Sequence, residues 1–178
     1  MYGLPKNANW IEKLPDGHQA TLRTLEVMRF LVRKDYRRPS VRSIVTFLCT
    51  TQRALACVQA LFLFARDGIR YVPDPPDLEL VRDFDHTWAG REGDCDDKVS
   101  WLATALLAID TPARFVVQTY AGHIFEDGWD HVYLEFYDWN RWKWVALDPT
   151  ADEHTGIFAP IGWRQPLPKS GFEMRYSI

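Results

Sequence analysis

The chain has 178 residues, 47% apolar and 25% charged, which excludes wholesale disorder and allows one hydrophobic core without metal or disulfide staples. The formal net charge of −3 selects no class of partner. The charge is unevenly spread, with 12 Lys/Arg against 5 Asp/Glu in residues 1–70 and the reverse bias beyond. That asymmetry fits two halves attracting across a shared core, or a basic N-terminal surface that meets an acidic partner.

Three cysteines, Cys49, Cys57 and Cys95, are too few for a secreted disulfide scaffold. They are expected as free thiols in a reducing compartment, with Cys49 and Cys57 buried and inert. The N-terminal segment MYGLPKNANW has no apolar h-region, so no signal peptide is expected. The run ALACVQALFLF at 54–64 is too short to span a bilayer and reads as a buried helix. These features point to a reducing, cytoplasmic location.

Residues 1–17, with Gly3, Pro5 and Pro15-Asp16-Gly17, read as an extended arm. From Gln19 to Lys34, Leu22, Leu25, Val27, Met28, Leu31 and Val32 recur near the helical period and predict a first helix. A second is expected from Val41 to about Cys49. Thr50-Thr51 can cap a third, running from about Gln52 to Arg66 and stopping at Asp67-Gly68. Ile69–Val72 reads as a short extended segment. Pro73, Pro75 and Pro76 forbid regular structure next, and the stretch from Asp77 to Gly93 is read as irregular. A helix from Asp94 to about Ala108 is apolar nearly all round, hence central and buried.

Three strands follow: ARFVVQTY at 113–120, HVYLEFY at 131–137 and WKWVAL at 142–147. The Pro/Gly-containing tail 151–178 is expected to wrap the surface. Helices first, then a helix followed by antiparallel strands, define an α+β class. The chain reads as a single domain, 1–178, with its core in 19–150.

The chemistry starts at Gly93-Asp94-Cys95-Asp96-Asp97. Asp94 is a good N-cap, placing Cys95 in the first helical turn. Free N–H groups there favour a thiolate and can hold an oxyanion. The flanking aspartates oppose ionisation, so the thiol needs a cationic partner. If the second and third strands form a hairpin with a symmetric loop, Asp138 faces Arg141 and His131 directly faces Asp148. A carboxylate so placed can orient an imidazole. Cys95, His131 and Asp148 then supply nucleophile, base and orienter. Trp88 could offer an indole N–H to the oxyanion. Asp94, Asp96 and Asp97 with Asp83, Asp85 and His86 lack the ligand alternation of a calcium loop, and no metal or cofactor is expected. Trp139 and Trp142 mark the hairpin tip as a possible contact surface.

Five separated stretches occur in order: Tyr71–Asp74 with Glu79, GDCDD at 93–97, TPARFV at 111–116, DHVYLEF at 130–136 and WVALDPT at 144–150. Together they resemble the transglutaminase-like branch of the papain-like cysteine enzymes over roughly residues 20–150, most closely its small phage and bacterial versions. The resemblance implies a papain-like core: N-terminal helices, and a central helix carrying the cysteine at its N-terminus packed on an antiparallel sheet. It implies Cys95 as nucleophile, His131 as general base and acid, Asp148 as orienter, and Trp88 and Asp94 near the oxyanion or substrate. It also implies acyl transfer on amides through a thioester, with hydrolysis or deamidation favoured over crosslinking. The expected partner is a protein or peptide substrate, not a membrane or nucleic acid. The alternative is a phage virion or assembly protein that uses the fold for binding to structural proteins or to copies of itself.

Overall fold

A computed structural model describes residues 10–12, 17–50, 54–75, 78–119, 128–150 and 173–178. Helix α1 (His18–Asp35) buries Leu25, Met28, Leu31 and Val32, the stripe its spacing predicts. Helix α2 (Pro39–Leu48) starts two residues earlier than expected, because Pro39 fits the first helical turn. Helix α3 (Ala54–Leu63) passes into a π-helical turn, Phe64–Gly68, instead of continuing as α-helix to Arg66. Gly68 closes that turn against the Phe64 ring, where a Cβ would come within 2.8 Å.

Cys49 and Cys57 are joined in a disulfide, which overturns the expectation of two inert free thiols. The chain leaves helical geometry at Cys49 and turns back, bringing the two Cα atoms to 4.9 Å, within bridging range. The argument for a reducing compartment falls with it, since disulfides persist under oxidising conditions.

The stretch read as irregular holds three short elements. Strand β3 (Glu79–Val81) pairs antiparallel with β1 (Trp10–Glu12) from the N-terminal arm. Helix α4 (Phe84–Gly90) is capped by Asp83, whose carboxylate accepts the His86 backbone N–H at 3.0 Å. Strand β4 (Glu92–Gly93) pairs parallel with β2 (Arg70–Tyr71). Elements of two to seven residues establish no hydrophobic period, so the pattern could not announce them.

Helix α5 (Cys95–Ala108) runs through the centre, with Val99, Trp101, Leu102, Ala103, Ala105 and Leu106 all buried. It lies on a four-stranded antiparallel sheet of β5 (Ala113–Gln118), β6 (His131–Asp138), β7 (Lys143–Leu147) and β8 (Glu173–Ser177), in the order β7-β6-β5-β8. Phe115, Val117, Val132, Leu134, Phe136 and Leu147 alternate onto one face and share the core with α5. β8 corrects the reading of the tail: its end is an edge strand on β5, pairing Gln118 with Glu173. The rest of the tail and most of the arm lie outside the described residues. Among the described residues, no helix is long and apolar enough to cross a membrane.

Candidate active site

Gly93 delivers the chain to the start of α5. A Cβ there would lie 2.5 Å from the Asp97 Cβ, so this approach needs glycine. Asp97 is fully buried and clamped by Arg82, whose backbone N–H donates to Oδ1 at 2.6 Å and whose guanidinium donates to Oδ2. The pair ties the residue after β3 to the first turn of α5. Asp94 takes the N-cap position in extended geometry, but its side chain makes no capping bond.

Cys95 is the first residue of α5, partly exposed and the free thiol of the chain. Burial of its sulfur pushes the thiol pKa above the ordinary range, and the Asp94 charge adds to this. The Val132 backbone N–H stabilises the sulfur, while Glu79 and Asp148 oppose ionisation. That N–H sets the sulfur against the start of β6. Ionising this thiol therefore needs a cationic partner.

His131 opens β6 and is buried. Its Nε2 lies 2.8 Å from Asp148 Oδ2. Thr150 donates to Asp148 Oδ1 twice, from its backbone N–H at 2.9 Å and its hydroxyl at 2.7 Å. Burial works to raise the Asp148 carboxyl, but the bonds from His131 and Thr150 outweigh it and hold the group below its ordinary value. His131 and Asp148 thus form a bonded pair, and the Cys95 sulfur lies against the backbone of Val132, the next residue on β6.

The hairpin register differs from the expected one. Asp138 faces Lys143 rather than Arg141, because residues 139–142 form the loop, with Trp142 left-handed at φ 52°. A shift of two residues keeps every side chain on its face. Continuing the register sets Thr150 opposite His131, and its hydroxyl is 3.4 Å from Nε2. Asp148 becomes the diagonal neighbour on the same face, still within reach. Thr150 was missed in the sequence, and its only signal there is its place two residues after Asp148.

The other expectations divide. Trp88 sits in an aromatic stack, 6.4 Å from Trp101 and 5.0 Å from Phe64, with the Arg91 guanidinium 3.6 Å over its ring. Of the six residues considered for a hard cation, four are engaged elsewhere: Asp97 with Arg82, Asp83 with His86 at 2.7 Å, and Asp85 with Arg38 at 2.7 Å. Among the described residues, the group that could close on a cation is Asp94, Cys95 and Asp96, with ligand atoms within 4.8 Å of one another. Trp139 and Trp142 are exposed at the hairpin tip, 56% and 75%.

The acidic surroundings carry a pH prediction. Burial first, then the Asp94 charge, raises the Asp74 carboxyl to about 6 and Glu79 to about 7. Both values lie above those of the unfolded chain, so the folded state binds more protons between the two ranges. The associated stability is fully present below the unfolded values and is lost as pH rises through about 6 to 7. Calorimetry should show Tm falling from mildly acidic to mildly basic pH, and Glu79→Gln should flatten that slope. A Tm that rises over this window would contradict the assignment.

The sequence model of the transglutaminase-like superfamily matches residues 43–149, and the chain belongs to that superfamily. No curated protein matches the sequence. Among solved structures, a candidate protease from Parabacteroides distasonis is similar in fold, with TM-score 0.55 and 15% identity over 78% of this chain and 28% of its own. A candidate cysteine protease from Cytophaga hutchinsonii has TM-score 0.48 and 18% identity over 62% of this chain and 37% of its own. The periplasmic domain of TgpA from Pseudomonas aeruginosa has TM-score 0.48 and 20% identity over 70% and 48%. The chain therefore spans less than half of each of these proteins.

Proposed function

We propose that the protein is a cysteine enzyme that transfers acyl groups from amides through a thioester, with hydrolysis favoured over crosslinking. The observation that carries this reading is the buried His131–Asp148 bond of 2.8 Å, with the Cys95 sulfur held at the backbone of the next residue, Val132. With Nε2 held by Asp148, Nδ1 is the ring nitrogen assigned to the thiol proton. His131 takes that proton, and the sulfur attacks the carbonyl carbon of a protein or peptide substrate. The backbone N–H of Cys95, at the start of α5, holds the oxyanion. As the intermediate collapses, the C–N bond breaks and the imidazolium gives its proton to the departing amine. Water, activated by the neutral imidazole, then cleaves the thioester and frees Cys95.

The test is iodoacetamide alkylation of Cys95 across pH, in wild type and His131→Ala. The disulfide removes competing thiols. We expect a reactive plateau in wild type well below the ordinary thiol pKa of about 8.5, and its loss in the variant. Equal profiles in the two proteins would sink the triad.

A second reading, a phage assembly module, rests on the exposed Trp139–Trp142 pair, which meets edge to face at 6.2 Å. A symmetric ring in solution, or firm association with particles, would favour it.

A further inference from the structure

Gln118 is the last residue of β5 and lies directly across from His131 on β6. Directly opposed residues share a face, with Cβ atoms about 4.5–5.5 Å apart. Asp148 approaches the ring from the β7 side, so Gln118 flanks it from the other. The Gln118 side chain is fully buried, and among the described residues neither its Oε1 nor its Nε2 has a hydrogen-bond partner. An unbonded buried carboxamide costs stability, and each such group in a folded protein calls for an explanation. Packing does not supply one. The neighbouring residues on that face, Val116 and Tyr133, are buried too, and a leucine would satisfy the same space without the polar penalty.

We propose that Gln118 is a positioning residue for His131, with its carbonyl dipole reserved for the imidazolium that forms when Cys95 gives up its proton. This rests on the triad reading above. When the ring carries no charge, the amide has no charged partner to stabilise. In the ion pair the ring carries positive charge, and a carboxamide confined beside it turns its oxygen toward that charge. The amide thus stabilises the activated state and not the resting one, as a preorganised dipole does. Other titratable groups bearing on the ring are Asp148 after β7, Cys95 on α5, and Glu173 on β8 on the far side of Gln118.

The experiment compares wild type, Gln118→Leu and Gln118→Glu, using the rate of Cys95 alkylation across pH together with calorimetric Tm. Gln118→Leu should fold with a Tm equal to or above that of wild type. Its alkylation rate near pH 6, where thiolate exists only as the ion pair, should fall about tenfold, while its rate above the thiol pKa stays the same. Gln118→Glu should match or exceed wild type near pH 6. Superimposable profiles for all three proteins overturn the proposal, as does a loss that is uniform in pH and accompanied by a lower Tm. A wild-type thiol unreactive at low pH defeats the triad reading itself, and this proposal with it; variant profiles that overlay on a reactive wild type defeat this proposal alone.

Discussion

Asp148→Asn is expected to lower turnover about 10⁴-fold, the scale of losing the correct imidazole tautomer in a triad. The reason lies in Thr150. An asparagine could serve as orienter if its oxygen faced His131 and accepted the Nε2 proton. Here the backbone N–H and the hydroxyl of Thr150 both donate to the Oδ1 side of residue 148. They would claim the asparagine oxygen and turn its NH₂ toward Nε2. The ring would then carry its proton on Nδ1, facing the thiol, and could not act as base. Thr150→Val removes the hydroxyl donor, so adding it to Asp148→Asn should allow the amide to flip and restore part of the activity. The measurement is kcat/KM on any peptide substrate identified, with Tm as the folding control. An Asp148→Asn enzyme within tenfold of wild type would refute the clamp. A double variant no better than the single would place the asparagine oxygen under the backbone N–H alone.

Arg82→Met should destabilise the fold by about 3–5 kcal/mol, the range for stripping one partner from a buried ion pair. Asp97 is fully buried, and both its oxygens accept from Arg82. Burial and Asp94 push the Asp97 carboxyl up, and Arg82 pulls it down. Without the guanidinium the group must bury an unpaired charge or bind a proton. The deficit should therefore shrink at low pH, where protonation is easy, and grow toward neutrality. Replacing both partners, Arg82→Met with Asp97→Asn, should recover much of the loss, because no charge is then stranded. Urea unfolding of the three variants against wild type supplies the cycle. A single-variant cost below about 1 kcal/mol would mean that the pair behaves as an exposed one. Because Asp97 also abuts Gly93, loosening it should disturb the entry to α5 and hence the seat of Cys95.

Local chemistry was enough to find α5 and its cysteine. A buried apolar helix of fourteen residues, opened by Gly-Asp and closed before Thr-Pro, writes its limits into consecutive residues. The alternation in β6 and β7 likewise placed His131 and Asp148 on a common face, and that survived an error of two residues in register because the side-chain period is two. What could not be read locally depends on residues far apart in the chain. The loop length of the β6–β7 hairpin made Asp148 a diagonal neighbour and brought Thr150 against the ring. Arg82 reaches Asp97 because two-residue strands and a seven-residue helix fold the segment before α5 back onto it. Gln118 meets His131 through pairing between strands twelve residues apart in the chain, and the tail returns as β8 through pairing over more than fifty residues. The disulfide needed a turn at Cys49 that helical spacing does not encode. Residue types and their periods thus determined which side chains could do chemistry and on which face each stands. Only the tertiary pairing decided which of them meet, because hydrogen-bond register and buried charge pairs are set by contacts that no local window contains.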